Sequence, residues 1–217
     1  MRIKPSAEDR DAARLVFEQF KQKPGADHIA SYEALCRLAA ILRCHNIQSA
    51  VEFGAGIGTL TYLLLTYPSS GRKVVSTENN SFCIDQLAVN IPGELAENLT
   101  IVSERGKTPQ GRFDLAILDG KTSDISPILR EDLIVFIEGG RDPQRRLVID
   151  TCEQKGLYCK LHYNAARHLP RAVWKTRWRL KRPFQLDIKT PRIKMPRPGK
   201  KLFAYSSGCW LGLVKKG

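Results

Sequence analysis

The chain has 217 residues, of which 42% are hydrophobic and 26% are charged. This length and composition predict one soluble globular domain with a sizeable core. No apolar run approaches the ~20 residues of a membrane-spanning helix, and the charged start MRIKPSAEDRDAARL lacks the apolar core of a signal peptide. These features exclude an integral membrane protein, and we expect a cytoplasmic one.

The six cysteines are scattered along the chain without a C-x-x-C pair, which indicates reduced thiols rather than a disulfide framework. Cys152, Cys159, His162 and His168 lie close together in the sequence, but their spacing matches no usual zinc pattern. We therefore expect no zinc site there.

Apolar periodicity predicts helices and strands in a regular order. Two helices come first, and strands alternate with helices after residue 48. Most of the strands are continuous apolar runs, as expected for strands buried on both faces. The predicted helices cover 7–22, 29–44, 58–66, 81–90 and 142–156, and the predicted strands cover 49–53, 73–77, 99–103, 113–119, 133–138, 156–163 and 202–214.

This order predicts an α/β fold with a doubly wound, mostly parallel sheet of seven strands. We interpret it as two N-terminal helices, five strand–helix units and a final pair of strands in a single domain, 1–217. The N-terminal helices occupy 1–45 and could cap the sheet or form a dimer surface. The core occupies 46–163, a basic insertion 164–201, and the last strand lies in 202–217.

The segment VEFGAGIGTL (51–60) has three glycines directly after the first strand. Glycine permits a tight turn and lets a ligand reach backbone N–H groups, while the helix that follows offers unpaired donors and a partial positive charge. Ligands bind at this edge of open α/β sheets. The dinucleotide pattern G-x-G-x-x-G fails in both registers, because Thr59 or Thr61 stands at the third glycine position, and no Walker pattern is present.

An acid two residues before G-x-G-x-G, as in EFGAGIG (52–58), resembles the first motif of the class I S-adenosylmethionine-dependent methyltransferases. KVVSTE places Glu78 at the end of the second strand, and FDLAILDG places Asp119 at the end of the fourth, as in that family. The resemblance covers about 29–163 and 202–214. It implies the Rossmann-like methyltransferase fold, with an antiparallel strand in the final pair, and S-adenosylmethionine as methyl donor.

The resemblance also implies roles for residues of the first turn. The backbone of Gly54, Ala55 and Gly56 would lie against the methionine and ribose of the cofactor, and the helix end at Gly58 would face the methionine carboxylate. Glu52 would hold the methionine ammonium, directly or through water. A buried salt bridge is the alternative role for Glu52.

Two further pairs of residues are expected to contact the cofactor. Glu78, with Asn79 beside it, would accept both ribose hydroxyls, although Glu78 could instead cap a helix. Ser103 and Glu104, after the third strand, would contact the adenine amino group. All four assignments rest on the resemblance.

Methyl transfer from a sulfonium is an in-line displacement, so positioning two reactants can supply most of the acceleration. A hydroxyl or amine acceptor can also need a base to remove its proton. Asp119 is best placed for this role, or it could position the acceptor or the cofactor ammonium, and Glu138 is the alternative base. Lys121 could steady a developing oxyanion, or it could face solvent.

LDGKTSD (118–124) resembles the matching stretch of small-molecule O-methyltransferases, including the catechol and caffeoyl-CoA groups. Those enzymes hold a divalent cation with an Asp here and an Asp-Asn pair after the fifth strand. This chain has Glu138-Gly139-Gly140 at the second place. Asp119 and Glu138 alone are too few oxygen ligands for a hard cation, so we expect no metal. Glu138, Arg141 and Asp142 are expected to project into the acceptor cleft.

The net charge of +13 is concentrated in one segment. Residues 167–201 carry 13 of the 35 Lys and Arg residues but only one of the 22 acidic residues, so this segment has a charge of +12 and the remainder +1. Residues 169–183 are predicted to be a helix, with Arg171, Lys175, Arg179 and Arg182 on one stripe, whereas 189–201 contain three prolines and no helical pattern.

Three interpretations of the basic segment remain open. It could bind RNA, by phosphate contacts and base stacking on Trp174 and Trp178. It could rest on an anionic membrane surface. It could also be a lid that recruits an acidic acceptor or keeps the protein soluble.

The sequence therefore predicts a methyltransferase that acts on a small molecule by O-methylation. This acceptor could be acidic, and the protein could form a homodimer. The first alternative is an RNA methyltransferase that docks its substrate on 167–201. The second is a non-catalytic protein that binds nucleic acid or another partner and keeps a vestigial cofactor pocket. Asp119 is followed by Gly-Lys-Thr, and no N-P-P-Y type sequence follows the fourth strand. This absence disfavours methylation of the amino groups of nucleic-acid bases.

Overall fold

The computed structural model describes residues 3–104, 106–122, 124–139, 141–164 and 209–216. The basic segment 167–201, with its predicted helix at 169–183, lies outside the described residues, as does the first part of the strand predicted at 202–214. The final strand is described from Cys209 onward.

Six helices and seven strands are described, and their bounds agree with the predicted elements to within a few residues wherever a prediction was made. A single 3-10 turn, Ala26–His28, precedes the second helix. The short fifth helix, Gly93–Ala96, was not predicted. The helices are α1 Ala7–Phe20, α2 Tyr32–Cys44, α3 Thr59–Thr66, α4 Ser81–Asn90, α5 Gly93–Ala96 and α6 Asp142–Gln154. The strands are β1 Ser49–Phe53, β2 Lys73–Thr77, β3 Leu99–Val102, β4 Leu115–Leu118, β5 Ile134–Glu138, β6 Leu157–Asn164 and β7 Cys209–Lys216.

The seven strands form one sheet in the order β3-β2-β1-β4-β5-β7-β6. The first five of these positions are joined by parallel pairings, whereas β7 runs antiparallel to both β5 and β6. The predicted α/β fold with a mostly parallel seven-stranded sheet is therefore confirmed. The order reverses between β1 and β4, and in such sheets ligands bind beyond the carboxyl ends of the strands at that point.

The N-terminal helices cover one face of the sheet. The face of α2 that includes Leu35 and Leu38 is fully buried, and it packs with α1, α3 and α4 over residues of β1, β4 and β5 in the larger of two hydrophobic clusters. The packing agrees with the first of the two predicted roles for these helices, a cap over the sheet.

The other face is covered mainly by α6 and by the connection from β4 to β5. Val148 and Cys152 of α6, with Ile125 and Ile128 of that connection, pack on Val135 and its neighbours. Five strand–helix units were predicted, but in the described part of the chain no helix joins β3 to β4 or β4 to β5. Gly106, Pro109 and Gly111 in the first connection disfavour a helix there.

A buried carboxylate ties α1 to α2 and to the end of α3. Asp9 is fully buried, closes a capping box with Ser6 at the start of α1, and accepts hydrogen bonds from the Arg43 guanidinium at 3.0 Å and the Tyr67 hydroxyl at 2.7 Å. Burial raises the pKa of Asp9, but these donors outweigh it and lower the pKa to about 2. The ionised carboxylate therefore stabilises the helical layer.

Replacing Asp9 with Asn is expected to lower the free energy of unfolding at pH 7 by about 2 kcal/mol, because a pKa of about 2 in the folded chain lies about two units below the ordinary value. This contribution is present above the ordinary pKa and is lost as the pH falls toward about 2. Urea unfolding of wild type and variant between pH 3 and pH 7 should show the gap narrowing at low pH. Asp132→Asn, which removes an exposed ion pair with Lys215, should change the free energy of unfolding less than Asp9→Asn does.

Candidate active site

The three glycines between β1 and α3 are needed for different reasons. All have positive φ angles, +89° at Gly54, +54° at Gly56 and +97° at Gly58. A Cβ atom on Gly54 would lie 2.5 Å from the Cα atom of Gly120, so the backbones of two turns touch there. A Cβ atom on Gly58 would contact side chains of α4, whereas one on Gly56 would meet no atom within 4 Å. Gly56 therefore borders open space that a ligand can fill.

The contact at Gly54 also fixes the end of β4. The carbonyl oxygen of Phe53 accepts hydrogen bonds from the N–H groups of Asp119 at 3.0 Å and Gly120 at 2.5 Å. On the other side, the N–H group of Gly54 donates to the carbonyl of Thr77 at 3.0 Å. The glycine turn is thus held between the carboxyl ends of β2 and β4.

Glu52 lies in β1 and is 0% exposed. Its Oε2 atom accepts hydrogen bonds from the hydroxyls of Thr61 at 2.5 Å and Ser76 at 2.8 Å, while Oε1 is buried without a hydrogen-bond partner among the described residues. Burial raises the pKa of Glu52 to about 7, and the nearby carboxylates of Asp119 and Glu78 act in the same direction. Within the described chain Glu52 forms no ion pair, so Oε1 can accept a hydrogen bond from a water molecule or an ammonium group.

Glu78 follows β2 and reaches the glycine turn. Its Oε2 atom accepts a hydrogen bond from the N–H group of Gly56 at 2.8 Å, and its Oε1 atom accepts from the N–H groups of Asn79 at 2.9 Å and Asn80 at 3.0 Å. The side chain that caps α4 is that of Asn80, which accepts from the N–H group of Cys83. Glu78 therefore lies against the turn rather than serving as the cap of α4.

Two cavities meet at the glycine turn. The larger, about 610 Å³, lies beyond the ends of β1 to β4 and is within the usual range for ligand sites. The smaller, about 170 Å³, lies between the turn, the start of α4 and the segment that precedes α2. Walls of the larger cavity include Gly54, Glu78, Asn79, Glu104 and Lys121. Walls of the smaller include His28, Ala55, Gly56 and Asp119.

The ends of β4 and β5 bring three charged residues together. Asp119 accepts a hydrogen bond from the Arg141 guanidinium at 2.5 Å, and burial raises the pKa of Asp119 while Arg141 opposes that rise. Glu138 accepts hydrogen bonds at Oε1 from the N–H group of Ser31 at 3.4 Å and from the Ser31 hydroxyl at 3.3 Å. Burial and then the charge of Asp119 raise the pKa of Glu138.

Of the remaining predicted residues, Asn79, Glu104 and Lys121 line the larger cavity, whereas Ser103 and Asp142 line neither cavity. Lys121 is exposed to solvent at its wall, and Glu104 lines it while paired with Lys107 at 2.9 Å. Ser103 is exposed and lies outside the walls of both cavities. Its predicted contact with adenine has no support from this arrangement.

Three residues that the sequence analysis did not select help to build the site. Gly120 permits the close approach to Gly54, Ser31 donates to Glu138, and Gln144 of α6 donates to the Gly120 carbonyl at 2.9 Å. Gly120 directly follows Asp119 and could have been chosen as a turn residue. Ser31 precedes an apolar helical run, which is an N-cap signal, but no local pattern indicates Gln144.

The charges around the turn favour a cationic ligand over an anionic one. Glu78 contacts the turn, Glu52 lies near Glu78 and Asp119, and Glu138 lies near Asp119. Among the described residues, Arg141 pairs with Asp119. A phosphate in this position would meet several carboxylates at short range, whereas a ligand with positive groups would be attracted. The turn is thus suited to a ligand that carries a positive charge.

No group of three or more His, Cys, Asp or Glu residues that could hold a metal ion occurs in the described residues. Asp119 and Glu138 lie at one edge of the sheet, but Asp119 forms an ion pair with the Arg141 guanidinium. Nor does any helix in the described ranges have the length and apolar character to cross a membrane.

Replacing Glu52 with Gln should change how stability depends on pH in the absence of ligand. A pKa of about 7 in the folded chain, against an ordinary 4.5, means that the wild type loses stability as the pH rises from about 4.5 to about 7. The variant has no such group, so its free energy of unfolding should rise relative to wild type by up to about 3 kcal/mol between pH 5 and pH 8. Urea unfolding measures this difference, with exposed Glu94→Gln as control, and a difference constant with pH would contradict the assignment.

Comparison with known proteins gives matches at the level of structure. No family model matches the sequence, and no curated protein matches it either. A SAM-dependent O-methyltransferase from Thermotoga maritima superposes with a TM-score of 0.56 at 14% identity, over 94% of this chain and 71% of that one. Precorrin-6y C5,15-methyltransferase from Geobacter metallireducens gives a TM-score of 0.55 at 13% identity, over 92% of this chain and 96% of that one.

A third similar structure, an SAH-bound methyltransferase from Podospora anserina, gives a TM-score of 0.44 at 17% identity, and the chain covers 61% of that protein. At these identities the first two similarities concern the fold. The strand order, the antiparallel β7 and the two superpositions lead to the same conclusion. The chain has the fold of the class I S-adenosylmethionine-dependent methyltransferases.

Proposed function

We propose that the protein binds S-adenosylmethionine and methylates an oxygen atom of a small molecule. The observation that carries the proposal is the open backbone at Gly56, with the Glu78 carboxylate bonded to it and the carboxylates of Glu52 and Asp119 nearby. A sulfonium, an ammonium and two ribose hydroxyls match this set of acceptors, whereas a dinucleotide phosphate does not.

Each polar group of the cofactor has a candidate partner. Glu78 would accept the ribose hydroxyls, because its carboxylate lies against the Gly56 backbone between the two cavities. Oε1 of Glu52 would accept from the ammonium or from a bridging water, since it is buried without a partner in the described residues. The first N–H groups of α3, after Gly58, would face the carboxylate. Asn79 and Glu104 remain candidates for the adenosine end.

The cofactor supplies an activated methyl group, and the chain must orient the acceptor and remove its proton. Asp119 is already paired with Arg141, which favours its ionised form and a positioning role. Glu138 has no ion pair within the described chain, and burial raises its pKa. Glu138 is therefore the better candidate for the base, and Lys121 could steady the acceptor oxygen from the wall of the larger cavity.

Support for an oxygen acceptor comes from the resemblance of LDGKTSD (118–124) to small-molecule O-methyltransferases. The donor set offers two carboxylates and an arginine at this edge, and no cluster of metal ligands occurs in the described residues. We accordingly propose proton removal by a side chain, with the acceptor bound at the ends of β4 and β5.

Calorimetric titration of wild-type protein with S-adenosylmethionine and S-adenosylhomocysteine should show micromolar binding. Gly56→Val should weaken it at least tenfold, because the new side chain fills space that the ligand needs. Gly71→Val is a matched control, since Gly71 also has a positive φ angle of +93° and open space around it but lies away from the site. Gly71→Val should lose about as much thermal stability as Gly56→Val and keep the wild-type affinity for both compounds. Well-folded wild-type protein that binds neither compound would overturn the proposal.

One observation favours RNA as the second candidate acceptor. Asn164, at the end of β6, pairs with Trp210 of β7, and Cys209 of β7 pairs with Glu138 of β5. Asn164 and Cys209, the described residues on either side of this stretch, therefore both lie at the carboxyl edge of the sheet, beside the proposed transfer site. The intervening residues include 167–201, with a net charge of +12.

If RNA is the acceptor or a partner, replacing Arg171, Lys175 and Arg179 with Gln should weaken RNA binding. Each lost phosphate contact lowers the slope of log affinity against log salt concentration by about 0.7, so the slope should fall by about 2. The same substitution at Lys73, Arg112 and Lys216, near the opposite edge of the sheet, is the control. Fluorescence anisotropy with a short single-stranded RNA measures both. RNA binding without methyl transfer, by protein that binds no S-adenosylmethionine, would favour the non-catalytic alternative.

A further inference from the structure

The segment before α2 makes a direct contact with the transfer site. Ser31 is the N-cap of α2, where its hydroxyl oxygen accepts a hydrogen bond from the N–H group of Ala34 at 3.3 Å. The same residue donates its hydroxyl and its N–H group to Oε1 of Glu138, 107 residues further along the chain. One serine therefore begins a helix of the N-terminal layer and holds a carboxylate at the end of β5.

The hydroxyl of Ser31 satisfies both of its hydrogen-bonding functions in this position. It accepts from α2 and donates to Glu138, which fixes the direction of its proton. Glu138 is thereby held at Oε1, while Oε2 has no hydrogen-bond partner among the described residues. Held in this way, the carboxylate keeps one oxygen atom for a proton of the acceptor.

The groups that face Glu138 explain why a positioning contact matters there. Asp119 at the end of β4 repels the ionised carboxylate, Arg141 before α6 attracts it, and Ser31 donates to it. Arg141 is hydrogen-bonded to Asp119 at 2.5 Å. Without a donor of its own, Glu138 would be free to turn toward Arg141 and away from the acceptor.

We propose that Ser31 is a positioning residue of the transfer site, which orients Glu138 for removal of the acceptor proton. This inference rests on the proposed function. In the step it serves, the acceptor oxygen forms a bond to the methyl carbon as the bond from that carbon to sulfur breaks. The electron pair of the broken bond goes to sulfur, and the hydroxyl proton passes to Oε2 of Glu138. The N-terminal layer thereby takes part in the site as well as in the core.

The orientation of Glu138 can be tested without knowing the acceptor. Sinefungin carries an ammonium-bearing carbon in place of the methylated sulfur, so its charge reports on carboxylates at the methyl position. S-adenosylhomocysteine lacks that charge and serves as reference. In wild-type protein, we expect sinefungin to bind about tenfold more tightly than S-adenosylhomocysteine, and Glu138→Gln should abolish most of this preference.

Ser31→Ala and Ser31→Gly should each reduce the preference for sinefungin about three- to tenfold and leave the affinity for S-adenosylhomocysteine unchanged. The glycine variant matters because glycine is a tolerated N-cap, so α2 keeps most of its stability. Ser31→Thr keeps the hydroxyl and should behave as wild type. Ser6→Ala removes an equivalent N-cap from α1, away from the site, and controls for lost helix stability.

A titration of Glu138 provides a second readout. In 13C NMR spectra of protein labelled in the Glu side-chain carboxyl groups, the Glu138 signal is assigned by its absence in Glu138→Gln. The pKa of Glu138 should be higher in Ser31→Gly than in wild type, because a donor to the ionised form has been removed. Ser6→Ala should leave it unchanged.

The outcomes separate the inference from the function on which it rests. Binding of neither compound by well-folded wild-type protein would overturn the proposed function itself. Binding of both compounds, with the same preference and the same Glu138 titration in wild type, Ser31→Ala and Ser31→Gly, would overturn the role of Ser31 alone. A preference that Glu138→Gln does not change would also overturn it, since Glu138 would then not face the methyl position.

Discussion

The contact between the backbones of Gly54 and Gly120 is the constraint on which the site depends. With no side chain on either residue, the turn after β1 and the turn after β4 lie against each other, and the Phe53 carbonyl accepts two hydrogen bonds across the contact. This contact places Asp119 beside the glycine turn and gives the two cavities a common wall. A methyl group at either position would separate strands that the central sheet holds together.

Electrostatics distinguish this turn from phosphate-binding turns built on the same fold principle. In a phosphate site, helix dipole and backbone N–H groups act alone or with basic side chains. Here Glu52 is buried beneath the turn with a pKa of about 7, and Glu78 accepts a backbone N–H that a phosphate would otherwise use. Such a site can bind a positive ligand tightly because the ligand relieves the repulsion among the carboxylates.

The sequence allowed the fold to be predicted well because continuous apolar runs, glycine turns and N-cap residues are local signals. The placement of Glu52, Glu78 and Asp119 at one edge of the sheet was also predictable, because each lies in a strand or directly after one, while their roles toward a cofactor stay predictions. The absence of helices after β3 and β4 in the described chain was harder to predict, because a missing helix has only weak signals in the sequence. The contact of Ser31 with Glu138 could not be predicted, because it joins distant parts of the chain whose relative position only the packed sheet determines.

The antiparallel β7 has a consequence for how the protein can change during evolution. Because β7 lies between β5 and β6, the described end of β6 at Asn164 and the described start of β7 at Cys209 lie at the same edge of the sheet. Insertions or deletions between these two residues leave every described strand pairing in register. The residues around the glycine turn can therefore stay constant under selection while the stretch of sequence between Asn164 and Cys209 changes.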